Sequence, residues 1–279
     1  MRNFDNGWAA FIGFVLAAVI VVPQTRSQSL WLAPDHESTV SIEAVKPFFK
    51  DDFVRDPLFF SSALNLNLRV PVDDRFMVVA EVPLSYFDVK DSNLDNTVSL
   101  GNPYLGMEVR GNTELFFGEL GVRFPVVDAS DNGIVSGTAA DYARADAYAI
   151  DQWCIGVLGN LQYRPDPSSG VMLRARFGPV FSIYSGDSEF VDNSEAYLVY
   201  GGQVWFTYQR FSGAMGLFAR TWVSESDVDN RTLEHLGFTF SVDATVVRPG
   251  LQLHIPMDEH MREVAGIAIG LHLTVPFNQ

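Results

Sequence analysis

The stretch IAIGLHLTVPF, residues 267–277, decides the fold that the sequence predicts. Every second position, from Ile267 to Phe277, carries a large apolar side chain, and the positions between them are small, polar or proline. Because successive side chains of a β-strand point to opposite faces, this segment has one apolar face and one mixed face. Its length also suits a tilted strand that crosses a bilayer, which takes about 9–11 residues.

The same two-residue period recurs along the chain. It is clear at 64–72, 76–86, 104–110 and 116–124. Weaker versions lie at 38–46, 152–164, 171–183, 196–209, 214–223, 235–243 and 246–256. Short joints alternate with long polar stretches between these segments, as in a membrane-spanning meander. The sequence therefore predicts an all-β protein: a single transmembrane antiparallel β-barrel of twelve strands, with short periplasmic turns and long acidic extracellular loops. A helix is expected only in the Ala-rich stretch 137–149, inside a long loop.

The N-terminal segment has the pattern of an export signal. Arg2 supplies a positive start, an apolar run extends from Ala9 to Val22, and small residues at Thr25 and Ser27 fit a cleavage site. The run is shorter than the roughly 20 residues of a transmembrane helix. We predict that residues 1–27 are a signal peptide and that 28–279 form the barrel; a short N-terminal membrane anchor is the alternative.

Composition excludes several classes of function. The formal net charge is −15, which argues against binding to nucleic-acid backbones. Cys154 is the single cysteine, so an intramolecular disulfide framework and a cysteine-based zinc site are ruled out. Charged residues make up 19% of the chain, below the usual share of about 25%. The chain is predicted to fold, and to fold around β-structure.

Turn residues predict how neighbouring strands align. A two-residue loop at Gly111-Asn112 would place Tyr104 opposite Glu119, and a three-residue loop from Asp73 to Arg75 would join 64–72 to 76–86. Proline cannot donate to a β-ladder. Pro179 therefore conflicts with its predicted place in the middle of a strand.

These features together resemble Gram-negative outer-membrane β-barrel proteins. The resemblance rests on the signal-like 1–27, the twelve alternating segments and the final strand ending at Phe277, and it covers nearly the whole mature chain. The stretch Gly101-Asn102-Pro103-Tyr104-Leu105-Gly106 resembles porin-like barrels that are classed as transporters. The resemblance implies a location in the bacterial outer membrane, contact with its lipids and lipopolysaccharide, and recognition of the C-terminal strand by the barrel-assembly machinery. It implies no particular substrate.

Charge is divided between the predicted loops and the predicted interior. The long loops hold 21 of the 34 acidic residues against six basic ones, whereas the inward faces of the strands are rich in arginine. The lumen-lining candidates are Arg69, Glu81, Glu108, Arg110, Glu119, Arg123, Arg174, Arg176, Arg220 and Arg248. A basic interior favours anions, because electric fields concentrate in narrow passages of low dielectric constant. The sequence therefore predicts a passive channel for small solutes, with a preference for anions and with Arg174 and Arg176 as its constriction.

Two alternatives stay open. In the first, ion pairs and large inward aromatic residues fill the lumen of a purely structural barrel, since Arg69 lies diagonal to Glu81 in the predicted register. The other alternative is an enzyme acting on lipid or peptide, but the predicted strands place His235 about 20 Å from Ser241, and His254 about 16 Å out of step with His272. These separations suit neither a nucleophile–base pair nor a metal pair. No catalytic residue, metal ligand or cofactor is predicted.

Overall fold

The computed structural model describes the ranges 37–50, 61–88, 97–111, 115–127, 132–166, 170–185, 194–224, 231–244 and 246–277, together with Thr113. The predicted signal peptide, 1–27, lies outside the described residues, as do many of the acidic loop residues. Within the described ranges no helix has the length and the apolar character that a membrane crossing requires.

Antiparallel strands account for most of the described chain. The strands are β1 (Thr39–Phe49), β2 (Ser62–Pro71), β3 (Phe76–Phe87), β4 (Thr97–Leu100), β5 (Tyr104–Arg110), β6 (Phe116–Arg123), β7 (Gln152–Tyr163), β8 (Val171–Tyr184), β9 (Glu195–Tyr208), β10 (Phe211–Trp222), β11 (Thr232–Val242), β12 (Arg248–Pro256) and β13 (Ala265–Pro276). Three short helices accompany them: α1 (Gly133–Ala140), a 3₁₀ helix (Tyr142–Tyr148) and α2 (Glu259–Val264). The helix expected at 137–149 thus begins earlier and is broken at Asp141.

The strands form one closed barrel. Neighbours in sequence are neighbours in the sheet, and the pairing of β1 with β13 closes the ring. Because β4 and β5 both pair with β3, they occupy a single position in the wall, which therefore has twelve positions. The predicted all-β, twelve-stranded antiparallel meander is confirmed. One detail differs, since β4 lies in the stretch 87–101 that was expected to be a loop.

The two faces of the wall have opposite character. Large apolar side chains point outwards, and Leu120, Leu251 and Leu271 are each more than half exposed. The inward face is instead polar and buried, and Glu43 and Arg69 are examples. An apolar exterior around a polar interior is the reverse of a water-soluble barrel and fits hydrocarbon outside the wall. Closure also leaves no unpaired edge, as the bilayer core requires.

The turns confirm one predicted register and correct the other. Pro71 pairs with Met77, and Asp73 Oδ1 accepts the backbone N–H groups of Arg75 and Phe76, so the three-residue turn is confirmed. Tyr104 pairs with Arg123 and not with Glu119, so the two-residue loop at Gly111-Asn112 was wrong; Asn112 itself lies outside the described residues. The observed pairing is shifted by four residues from the predicted one. Because four is an even number, each residue stays on the face predicted for it.

Pro179 lies where the ladder between β7 and β8 is interrupted. The pairs step from Gly156–Val180 directly to Gly159–Phe177. A Cβ atom on the preceding residue, Gly178, would lie 2.1 Å from the carbonyl oxygen of Val157, so the two backbones come unusually close here. The missing N–H of proline is tolerated because the β7 side of the strand makes no ladder pair at this point.

Candidate functional site

The lumen contains a segment of the chain that is not part of the wall. Residues 132–149, here called the insert, comprise α1 and the 3₁₀ helix and follow the long connection after β6. α1 packs against β1, β2, β3, β4 and β13, while the 3₁₀ helix contacts β10 and β11 on the other side. Ala140 lies in one cluster with the inward-facing Val45, Ala63 and Ala268. The insert therefore spans the half of the lumen next to the long loops, here called the long-loop half.

Small residues let the insert pack this closely. A Cβ atom on Gly137 would lie 2.3 Å from the Tyr148 ring, and one on Gly133 would lie 2.3 Å from Ser99 Oγ. The extended backbone at Asp141 separates the two helices, and its Oδ1 accepts the N–H of Ala143 at 3.0 Å to begin the second. The insert is thus a pair of short, closely packed helices. The two-residue period used to find the strands gives no information about this packing.

Arg144 fastens the insert to the wall by ion pairs. Its guanidinium lies 3.0 Å from Glu43 Oε2 on β1 and 3.3 Å from Glu81 Oε2 on β3. Asp141, within the insert, lies 3.6 Å away. The side chains of all four residues are at most 6% exposed, so water screens these charges little. Removing a single member of such a group would leave a buried charge uncompensated.

Asp146 makes the second ionic attachment. One carboxylate oxygen is 2.9 Å from Arg123 Nε on β6, and the other is 2.7 Å from an Arg220 nitrogen on β10. Burial alone would raise the pKa of Asp146, but the two guanidinium groups outweigh it and lower the pKa to about 2. Asp146 is therefore ionised at any physiological pH and holds β6 and β10 to the insert.

Asn102 joins the insert to a break in the wall. It lies between β4 and β5, and its Nδ2 donates to the carbonyl oxygens of Asp146 and Ala149 at 3.3 and 2.7 Å. Its Oδ1 accepts the N–H groups of Val126 and Val127. The backbone N–H of Asn102 donates to Ala147 at 2.6 Å. These bonds satisfy backbone groups that the interrupted strand leaves without ladder partners.

The other half of the lumen, next to the short turns, is filled from the wall itself. Arg69 on β2 lies 2.6 Å from Glu108 on β5. Arg176 forms an ion pair with Glu119, whose carboxylate also accepts the Tyr104 hydroxyl. We call these five residues, together with Arg174, the short-turn layer. The Arg174 guanidinium stacks over the Phe117 ring at 4.7 Å.

All ten lumen-lining candidates are placed on the interior face. Seven of them have ion-pair partners given above. Arg248 lies 3.7 Å from both Glu37 and Asp243 near the short turns, and Arg110 lies over Phe117. Arg69 contacts Glu108, a partner that the predicted pairing with Glu81 did not include. Eight of the candidates thus lie in two adjoining layers, three in the long-loop half and five in the short-turn layer, while Arg110 and Arg248 belong to neither. Because acidic residues are interspersed among the arginines, the candidates do not line one continuous basic surface.

Comparison with known proteins gives the fold. No protein-family model matches the sequence, and no curated protein does so either. Among solved structures, the COG4313 outer membrane channel from Pseudomonas putida F1 superposes with a TM-score of 0.54 at 14% identity, covering 92% of this chain and all of that one. LpxR from Salmonella typhimurium gives 0.52 at 15% identity, covering 86% of this chain and all of that one. The chain has the fold of a bacterial outer-membrane β-barrel. The predicted class is confirmed, and the apolar exterior places this barrel in a membrane.

Several functional candidates of this outer-membrane barrel were missed from the sequence. Asp141 and Asp146 were counted among the acidic loop residues and Arg144 among the basic ones, but all three lie inside the lumen, where Arg144 pairs with Glu43 and Asp146 pairs with Arg220. His235 was compared only with Ser241, which instead bonds to Ser212 at 2.8 Å, and His254 only with His272. The register places His235 and His254 diagonally on β11 and β12, with ring centres 5.7 Å apart. The small residues of 133–147 were the available signal for a packed insert.

A cavity of about 100 Å³ lies between the insert and the wall. Its lining includes Arg123, Arg144, Asp146, Cys154 and His235. A water needs roughly 10–15 Å³ of such space and two or more polar partners, so the cavity has room for several waters. The charged groups of the long-loop half are therefore next to an internal hydrated space.

Proposed function

We propose that the chain is an outer-membrane channel for small polar solutes and that the insert closes it. The observation that carries this proposal is the attachment of the insert: it fills the long-loop half of the lumen and is held there by ion pairs to four wall strands, through Arg144 and Asp146. Removal of the insert from this position would leave a polar passage in the upper part of the barrel.

The ionic character of the contact supports a removable plug. A permanently sealed interior is stabilised as well or better by apolar packing, since replacing buried ion pairs with apolar groups is often neutral or stabilising. Charged groups on both sides of a contact are instead readily solvated once they separate. The cavity beside Arg144 and Asp146 supplies a polar space into which that solvation can begin.

The residues left in the lumen indicate the class of solute. Without the insert, the wall of the long-loop half presents Arg123 and Arg220 together with Glu43 and Glu81, and the short-turn layer has three arginines against two acidic residues. The wall charges therefore keep a small excess of arginine. Fields concentrate in such a passage, so anions are favoured over cations of the same size. We therefore propose small, hydrated anions as the preferred solutes.

The test replaces residues 133–144 with a Gly-Ser linker of equal length, which keeps Asp146 and the bonds of Asn102. The refolded variant is expected to conduct steadily in planar bilayers, whereas the native protein opens rarely. Arg144→Ala should show intermediate opening, and Arg262→Ala, an exposed arginine on α2 at the same end, is the matched control that should behave as the native protein does. A folded linker variant with no conductance would overturn the proposal.

The short-turn layer favours a second candidate, a structural barrel with a filled lumen. Its ion pairs link wall strands to one another and do not depend on the insert. If this layer alone blocks passage, the linker variant stays silent. The same recording therefore separates the two functions.

A further inference from the structure

We propose that Asp141, His235 and His254 form a binding site for Zn²⁺ that fastens the insert to the barrel wall. The three residues come from three elements: Asp141 lies between α1 and the 3₁₀ helix, His235 is on β11 and His254 is on β12. All three are buried, with exposures of 4%, 3% and 6%. The proposal concerns a binding site and does not depend on whether the barrel conducts.

The potential ligand atoms converge. One carboxylate oxygen and one nitrogen from each histidine lie within 4.8 Å of one another. His254 Nδ1 faces Asp141 Oδ1 at 3.9 Å, and this buried nitrogen has no hydrogen-bond partner among the described residues. A zinc ion with bonds of about 2.1 Å holds its ligands about 3.4 Å apart. Side-chain movements of about 1 Å therefore complete the geometry.

The donor set identifies the class of metal. Two imidazole nitrogens and one carboxylate oxygen are typical ligands of zinc, whose fourth position is then taken by water. Calcium and magnesium prefer sites made entirely of oxygen and would not use two histidines. The same donor set also suits iron(II). The three ligands therefore select a transition metal that binds both nitrogen and oxygen, and Zn²⁺ is the ion used to test the site.

The surroundings hold the ligands in place. Asp141 Oδ1 accepts the N–H of Ala143, which fixes the carboxylate at the start of the 3₁₀ helix. The His235 ring packs on Phe218, with the ring centres 5.3 Å apart. Arg144 and Arg220 are nearby positive charges. Arg144 is also paired with Glu43 and Glu81, and Arg220 with Asp146, so they add little net repulsion towards a cation. Supporting contacts of this kind orient ligands before the metal arrives.

The cavity gives the site a hydrated approach. His235 and Arg144 both line the 100 Å³ space described above, while Asp141 and His254 lie just beyond it. A bound ion would connect the insert directly to β11 and β12, which are separated from β1 only by β13. The insert would then be attached to these two strands in addition to the contacts of Arg144 with β1 and β3.

The test measures Zn²⁺ on the refolded full-length protein in detergent, by equilibrium dialysis and elemental analysis. We expect one ion per chain that excess Ca²⁺ or Mg²⁺ does not displace. His235→Ala and His254→Ala should weaken binding by more than the roughly 10–100-fold typical of changes to groups that only support a ligand. His272→Ala removes a buried, inward histidine of β13 and is the matched control, expected to retain the ion.

Two further measurements keep the result interpretable. Asp141→Asn alters only the insert, so the wall should still fold, and its loss of Zn²⁺ would show that the insert supplies a ligand. Co²⁺ in place of Zn²⁺ should give the visible absorption of a four-coordinate site in the native protein and not in the variants. Absence of stoichiometric Zn²⁺, or full retention in both histidine variants, would overturn the proposal. Either result leaves the conductance of the linker variant, and hence the channel proposal, untouched.

Discussion

The two halves of the lumen are both filled by charged side chains, but they are connected differently. In the long-loop half, most of the ion pairs join the wall to a separate segment, and Arg144 lies 101 residues from its partner Glu43. Arg123 and Glu81 also pair there within the wall. In the short-turn layer, Arg69 and Glu108 both belong to wall strands. The insert can therefore leave the lumen while the barrel stays closed, whereas the short-turn layer can only rearrange its side chains. In the proposed channel, the insert provides closure and the wall provides selectivity.

The largest expected effect on stability comes from replacing one arginine in each layer with alanine. Arg144→Ala removes the guanidinium from buried Glu43 and Glu81, and Arg69→Ala removes it from buried Glu108. Each should lower the free energy of unfolding by about 3–5 kcal/mol, as expected when one partner of a buried pair is lost. Only Arg144→Ala should raise conductance. Denaturant unfolding in micelles and bilayer recording test this pair, and equal conductance in both variants would break the comparison.

A smaller loss of stability is expected from a change at the junction between the insert and the wall. Asn102→Ala removes four side-chain hydrogen bonds and should destabilise the barrel by about 2–3 kcal/mol, since buried backbone groups lose their partners. Asn160→Ala, a buried asparagine of β7 away from the insert, is the matched control. Limited trypsin digestion should cut at Arg144 in the first variant and leave the second intact. Equal protection of both would show that Asn102 does not hold the insert.

Acid should weaken the attachment of the insert through Asp146. The pKa of Asp146 is lowered from 3.8 to about 2 in the folded chain, so its stabilisation is fully present above pH 3.8 and is lost as the pH falls towards 2. The loss amounts to about 2 kcal/mol. Channel opening should rise over this range in the native protein. Asp146→Asn should remove this part of the acid response, and an unchanged pH profile would contradict the assignment.

The smallest effect is expected on selectivity. Arg174→Ala combined with Arg176→Ala, made in the linker variant, should lower the anion-to-cation permeability ratio measured from reversal potentials. Total conductance should stay within roughly a factor of two, because the pore walls remain while only the local field changes. Arg248→Ala, at the end of the barrel, is the comparison. An unaltered ratio in the double variant would remove the short-turn layer from the selectivity argument.

The sequence predicts the wall better than the site because the wall depends on local alternation. Strand β13 was evident from Ile267 to Phe277, since each apolar side chain faces lipid and each intervening one faces the lumen. The register of neighbouring strands was predicted less accurately. The turn after Arg110 is longer than Gly111-Asn112 suggested, yet the shift by four residues kept every face correct.

The position of the insert inside the lumen could not be predicted, because its partners are distant in sequence. Nothing in its sequence neighbourhood shows that Asp146 lies between Arg123 and Arg220 and is not one of the solvated loop acids. The convergence of Asp141 with His235 and His254 likewise requires the register of two strands and the position of a segment about a hundred residues earlier. The alternation of residues predicts on which face of a strand a side chain lies, but its contact partners depend on the closed fold.

The bonds of Asn102 restrict how the lumen opens. Asn102 lies in the interruption between β4 and β5 and donates to the backbone carbonyl oxygens of Asp146, Ala147 and Ala149. The wall needs such bonds there, because its own backbone groups have no ladder partners. Residues 146–149, at the C-terminal end of the insert, are consequently fixed to the wall, while α1 and Arg144 lie further from these bonds. In the proposed channel, opening would therefore be a rotation of α1 about residues 146–149 and not a withdrawal of the whole insert from the barrel.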